Sequence, residues 1–406
     1  MKETIHIYIS ILNKYLVNQL SKSIMKRKCI LGLAGLMVLG ACTNDEIIDV
    51  KQTGSIDLRP LIENSTRATA TTVANLGSFK VDVLKGSETY GAMTVTGSDN
   101  GTKWTTSPLT YWPSNASQQL DFYAYAPTST TGVTIDNTGK KITAYTPSTT
   151  VADQKDLVIA YNTGTKTANE ASGVPLLFKH ALSQIEVKAK CAATNMKVEI
   201  IGVKVVSVAK DGTFTFPAAT TQSGTGHELD LSLWNTASSQ KTAYMVRNSA
   251  PVELTQTAQS LMPSTSGTFM LIPQTITAWN NKNNTETNDG SYLSVLCRIS
   301  NVSGKNETII FPTTAQKYGF SAVAIGTTEK DKTWEPGKKY IYTLEFFGTN
   351  SGGGRFDPNP TVPDGGGKDT DVDQTKPEDG GKEILKPITF TVDVEEWTEV
   401  PVDLNM

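Results

Sequence analysis

Histidine, cysteine and any basic excess are scarce in this chain of 406 residues, and each scarcity removes a class of function. Of three histidines, His180 in LFKHALS and His227 in GTGHELD lack a partner at helical spacing, which makes a poor metal site. No serine or cysteine motif accompanies His180, so a histidine that orders the turn before a strand is expected rather than a catalytic one. The net charge of -3 and the pI of about 5.8 come with no basic stripe, which argues against a nucleic-acid partner. QSGTGHE lacks the lysine and helix of a phosphate loop. No tandem repeat supports a propeller or solenoid. Asp393, Glu395 and Glu396 read as charges that guard a strand edge against aggregation, not as the paired acids of a glycoside hydrolase. Neither a cofactor, a metal nor a catalytic residue is expected.

The chain also lacks a long apolar run: Ile30 to Leu39 falls short of the roughly 20 residues that span a bilayer. It follows Lys26, Arg27 and Lys28 and ends at Leu39, Gly40, Ala41 and Cys42, the layout of an export signal. The last four residues resemble a bacterial lipobox, in which the cysteine carries lipid and becomes the mature N-terminus. Asp45 and Glu46 behind it resemble the surface-export signal of Bacteroidetes lipoproteins. The expected order is an upstream leader over 1–24 from a misassigned start, a lipoprotein signal peptide over 25–41, and a lipid on Cys42.

With Cys29 leaving in the signal and Cys42 lipidated, Cys191 and Cys297 remain of four cysteines. Each shares a strand face with apolar residues, Ile185, Val187 and Ala189 in one case, Val295 and Ile299 in the other. A disulfide is allowed outside the cell, but it needs neighbouring strands, so two buried free thiols are expected.

What the chain has in quantity is short β-rich runs separated by Thr, Ser, Asn and Gly clusters, at 38% hydrophobic residues overall. In SQIEVKAK, Ile185, Val187 and Ala189 alternate with Glu186, Lys188 and Lys190, which fits a strand with one wet face. Early in the chain, Ile56 and Leu58 mark a short strand that Pro60 confines to an edge, followed by the polar run Ser65 to Thr72 with Arg67 inside it. Late in the chain, 348–386 is rich in Gly, Pro and Asp and reads as a flexible linker. Beyond it Ile388, Phe390, Val392 and Val394 alternate with polar residues. A single strand cannot satisfy its backbone alone, so this tail must add to a sheet edge, its own or a neighbour's.

Three stretches, YWPSNASQQLDFYAYAP at Tyr111 to Pro127, PLLFKHALSQIEVKAK at Pro175 to Lys190 and WEPGKKYIYTLEF at Trp334 to Phe346, resemble the Bacteroidales fimbrillins, the lipoprotein precursors of type V pili. The resemblance runs from Met25 to about Trp397. It implies an all-β protein with two β-sandwich-like (transthyretin-like) domains in tandem, at 68–190 and 191–347, preceded by a propeptide at 42–67 and followed by the linker and a donor-strand tail at 387–406. It further implies cleavage between Arg67 and Ala68 by a trypsin-like protease, loss of the first strand, and filling of the vacated groove by Ile388, Phe390, Val392 and Val394 of another subunit. Implied partners are other fimbrial subunits, that protease, the outer membrane through the lipid, and a ligand on a host or bacterial surface. The implied location is the outer membrane and the surface fimbrium. The competing reading from another class is a surface lipoprotein that never polymerises and binds glycan through Tyr111, Trp112, Tyr123 and Tyr125. Packing of Tyr123 and Tyr125 between sheets is the expectation for those aromatics.

A palmitate analogue fed to cells should label the natural protein and leave Cys42→Ser unlabelled, as read by in-gel fluorescence; equal labelling would remove the lipid from Cys42.

Overall fold

The computed structural model describes residues 54–62, 73–138, 140–216, 234–237, 239–264, 267–282, 290–314, 316–374 and 377–396. Residues 53–406 form one compact unit. Among the described residues the architecture is almost wholly β, and no helix is long and apolar enough to cross a membrane.

Seven strands make the first sheet: β1 (Leu58–Ile62), β2 (Ser78–Lys85), β3 (Glu88–Ser98), β4 (Lys103–Ser107), β5 (Leu120–Ala126), β6 (Val158–Gly164) and β7 (Val174–His180). They lie in the order β1-β7-β6-β5-β2-β3-β4. β5 and β6, at the centre, are buried along their whole length, so strict polar alternation is absent from both. One face carries Phe79, Leu120, Phe122, Leu176 and Phe178; the other carries Tyr123, Tyr125 and Tyr161 against Phe214 and Phe216. The Phe79 and Phe178 rings stand 5.0 Å apart although two strands separate β2 from β7. A flat sheet would hold those strands about 14 Å apart, so this sheet curls around its own core. On the outer face the Tyr123 and Tyr161 rings stack at 4.8 Å, and a small sheet built from Ile135–Asp136, Lys141–Tyr145, Gly212–Thr215 and Trp234–Asn235 covers them.

The rest of the chain builds two further sheets from β8 (Ser183–Cys191), β9 (Met196–Ala209), β10 (Lys241–Glu253), β11 (Tyr292–Ser303), β12 (Asn306–Phe311), β13 (Gly319–Ala324), β14 (Lys338–Phe346), β15 (Arg355–Phe356) and β16 (Thr389–Glu396). One sheet runs β8-β14-β16, with two short strands added at β8; the other runs β10-β9-β11-β13-β15, with β12 beside β11. Their facing sides share one core that includes Val187, Ile200, Val203, Val295, Tyr342 and Leu344. Paired sheets around a common apolar layer are the sandwich arrangement expected from the sequence.

Three sequence expectations change in detail. Lys190 and Cys191, the expected domain boundary, end β8, which pairs in parallel with β14. Sheet membership therefore changes earlier, at Ala181 and Leu182; only a partner some 150 residues away in sequence decides to which half β8 belongs. The supposedly wet Glu186 is buried and ion-paired with Lys339 of β14. The described residues of 348–386 do not hang free as a linker but pack on the body, as described below.

Cys191 and Cys297 are both buried and free, on β8 and β11 in different sheets. Burial pushes both thiols up from their ordinary range, with a backbone hydrogen bond at Ala193 partly opposing this for Cys191. The folded state then keeps protons that the unfolded chain releases above about pH 8.5, so these thiols lower stability as pH rises past that value. Iodoacetamide should alkylate Cys191 and Cys297 only in denaturant, read by peptide mass spectrometry; rapid alkylation of the folded protein would contradict their burial.

Candidate functional site

The two ends of the described chain both finish as sheet edges. β1 pairs in parallel with β7 alone, from Leu58 opposite Val174 to Ile62 opposite Phe178. The Val174 N–H donates to the Asp57 carbonyl at 2.9 Å. In a parallel ladder with that phase, the N–H groups of Arg59 and Leu61 face β7, and the nitrogen of Pro60 faces the open side, where a missing donor costs nothing. Just upstream, the Ile56 N–H donates to Thr110 O at 2.8 Å and the Trp112 N–H to Gly54 O at 2.9 Å. The segment 54–62 thus bridges the Thr110–Trp112 backbone and the β7 edge. Ile56, at 0% exposure, and Leu58, at 7%, fill the cleft beside Trp112, Leu176 and Phe178. Gly173 opens β7 with φ +74°, and a side chain there would press on the Asp57 carbonyl at 3.3 Å.

At the other end β16 pairs antiparallel with β14 over eight residues, from Glu345 opposite Thr389 to Lys338 opposite Glu396. Its outer side has no described strand beside it. Ile388 and Val392 are buried in the sandwich core; Phe390 is half-buried, its ring 5.8 Å from that of Tyr342. Val394 continues the alternation but is 41% exposed. The structure therefore places Phe390, Val392 and Val394 on one strand with Ile388 just before it, seats Ile388 and Val392 fully and leaves the other two incompletely covered.

Between the body and β16, the Gly, Pro and Asp-rich segment is held at close quarters. The N–H groups of Gly352, Gly353 and Gly354 donate to the carbonyls of Pro387, Ile384 and Lys386 at 2.8 to 2.9 Å, and Phe356 N–H donates to Lys382 O at 2.9 Å. Residues 352–356 and 381–387 so zip together, and 357–380 is a closed loop rather than a spacer. Glycine permits this: a Cβ on Gly354 would collide with Ser321 Oγ, and one on Gly353 would meet the Ile384 carbonyl at 2.9 Å. Ion pairs Lys204–Asp357, Arg247–Asp371 and Arg355–Glu383 clip the loop down, and Val372 is buried. A low apolar content suggests free chain, yet here backbone contact and buried charge supply what side chains do not. No local sequence signal marks Lys204 as buried, because its partner lies on the far loop.

Cys42, Arg67, Ala68 and His227 lie outside the described residues; Arg67 and Ala68 fall in the gap between Ile62 and Val73. His180 ends β7, its Nδ1 3.0 Å from the buried Asp156 carboxylate, as befits a structural histidine. Trp112, Tyr123 and Tyr125 are buried, which leaves Tyr111 as the exposed aromatic of the glycan platform considered above.

The sequence matches the family described as fimbrillin-like over residues 66–355. The chain belongs to the fimbrillin-like family. Membership rests on that match and gives the protein the general role of a fimbrial, cell-surface subunit. β1 and most of the tail lie outside the matched span. No curated protein sequence matches this fimbrillin-like chain. Among solved structures it is similar to a fimbrial protein from Bacteroides vulgatus, at 16% identity and TM-score 0.47, covering 84% of this chain and 100% of the other. It is also similar to a fimbrilin from Porphyromonas gingivalis, at 11% identity and TM-score 0.43, covering 87% and 100%. A third is the tip fimbrial protein Mfa3 of the same organism, truncated at its C-terminus, at 10% identity and TM-score 0.36, covering 84% and 100%.

Proposed function

We propose that this protein is a stalk or tip subunit of a surface fimbria, exported as a lipoprotein through Cys42, cut between Arg67 and Ala68, and polymerised by donor-strand exchange. The observation that carries the reading is the pairing of two edge strands of matching pattern. The segment ahead of the cut presents Ile56, Leu58, Pro60 and Ile62 at alternate positions, and the tail presents Ile388, Phe390, Val392 and Val394. Loss of the chain before Ala68 removes β1 and the residues bonded to Thr110 and Trp112. What remains is an open row of β7 donors beside an apolar cleft.

An incoming tail in the place of β1 satisfies that row and fills the cleft. A difference in burial drives the transfer. On its own sheet β16 leaves Val394 exposed and Phe390 half-covered, whereas the cleft holds Ile56 and Leu58 almost fully out of water. Full burial of an apolar side chain is worth about 1.5 to 3 kcal/mol, so covering Phe390 and Val394 in the receiving cleft adds to what Ile388 and Val392 regain there after leaving their own core. To reach a neighbour, β16 leaves β14 and the zipped 352–356/381–387 pairing opens, which makes exchange slow until the receiving groove is free. Because one subunit gives at one surface and receives at another, the contact is head-to-tail and builds an open filament. The partners are other fimbrial subunits and a trypsin-like protease. The outer membrane holds the precursor, and a surface ligand would be met by the assembled fimbria.

Arg67→Ala should accumulate as a longer, lipid-bound monomer with β1 in place, read by N-terminal sequencing and gel filtration; normal fibres from it would separate polymerisation from the cut.

Replacing Phe390 and Val394, the two tail residues incompletely covered on their own sheet, together with Asp places two charges where an apolar cleft must receive them. High-molecular-weight ladders on unboiled gels, and fibres by electron microscopy, should disappear while the monomer stays folded by circular dichroism. Ladders that persist would sink donor-strand exchange and return the protein to a monomeric surface lipoprotein.

A further inference from the structure

The closed loop is fastened at its start by a charge pair that has almost no contact with water. Lys204, on β9, is 1% exposed and Asp357, just after β15, is 2% exposed. Lys204 Nζ lies 2.8 Å from Asp357 Oδ2. The amine donates to two backbone carbonyls, Asn359 O at 2.7 Å and Thr361 O at 3.2 Å. With two tetrahedral directions fixed by carbonyls, a third is left for the carboxyl group. On the carboxyl side the two oxygens are unlike. Asp357 Oδ1 accepts from the Tyr292 hydroxyl at 2.8 Å and from the Asn359 N–H at 2.8 Å, whereas Oδ2 faces the Lys204 amine. The Phe320 ring, 4.0 Å from Nζ, closes the site against solvent.

A buried ion pair gains little over an apolar pair of the same shape, because both charges lose their hydration. The arrangement has a second chemical outlet. We propose that Lys204 and Asp357 become joined by an intramolecular isopeptide bond. The Lys204 proton passes to Asp357 Oδ2, leaving an amine and a carboxylic acid, both neutral. The nitrogen lone pair attacks Cγ, and the N–Cγ bond forms while negative charge collects on Oδ1, where Tyr292 and the Asn359 N–H already point. A second nitrogen proton moves to Oδ2, the Cγ–Oδ2 bond breaks and one water leaves. No oxidant, metal or added reactant enters the balance. Burial favours the first step by pushing the Lys204 amine down from its ordinary range, against the opposing pull of Asp357. Burial likewise keeps Tyr292 a phenol, with its proton available to donate.

The bond would tie the start of the tail loop to β9 in the middle of the second sandwich. Its mechanical use rests on the filament reading: tension on a donated β16 would reach the body at Asp357 through a covalent link. The bond itself does not depend on that reading, and its test is separate.

The full chain, purified folded from cells, is denatured and digested with trypsin, which does not cut after an acylated lysine. The expected product is Val198–Lys210 joined to Phe356–Lys368, with the sum of their masses less one water. Lys204→Arg keeps the charge but should give only linear peptides, and Tyr292→Phe should slow linkage by about 100-fold, the usual effect of losing one such donor. Recovery of Val198–Lys204, Val205–Lys210 and unmodified Phe356–Lys368 as the main products of the natural protein would overturn the proposal, whatever that protein does in fibre assays. Unchanged linkage in Tyr292→Phe would overturn the role given to Tyr292.

Discussion

A β-sheet edge is a row of backbone donors and acceptors that must be paired, covered or left to water, and this constraint organises the molecule. Both terminal strands are edge strands, and each covers an edge that would otherwise lie open: β1 that of β7, β16 that of β14. Neither adds a layer to the architecture. The body between β2 and β15 already holds the sheets and their cores, so exchanging a cover disturbs a boundary and leaves the interior alone.

The interior can bear this because its burial is concentrated elsewhere. β5 and β6 are sealed on both faces, and the curl that brings Phe79 to Phe178 closes the first core with only Ile56 and Leu58 added from β1 and the residues just before it. The second core is set by β8, β9, β11 and β14, with β16 contributing at its margin. The terminal segments each bury only a few apolar side chains, Ile56 and Leu58 at one end and Ile388 and Val392 at the other, whereas the permanent strands carry the bulk of both cores, which fits local opening at the ends of a structure before its centre.

Much of this was legible in the sequence because period-two patterns and prolines speak locally. Ile56, Leu58 and Pro60 were readable as an edge strand, Ile388 to Val394 as a strand in need of a partner, and Tyr123 with Tyr125 as packing residues. What escaped depends on distant partners. Glu186 looks wet until Lys339 is beside it, and β8 looks like the close of one half until its parallel partner is known. The loop 357–380 resembles free chain because composition counts apolar side chains, whereas its hold comes from glycine backbone contact and from the Lys204–Asp357 pair. Cys42, Arg67 and Ala68 were read from motif alone and lie where no geometry bears on them.

The zipped ends of that loop separate its contour length from the position of β16. Since 352–356 and 381–387 are bonded to each other, residues inserted near the loop's apex leave the tail strand in place. Loop entropy grows only logarithmically, by about 0.6 kcal/mol for each doubling of length. The loop can therefore change in length near its apex without retuning the joint beside it, provided the anchors at Asp357, Asp371 and Val372 are kept.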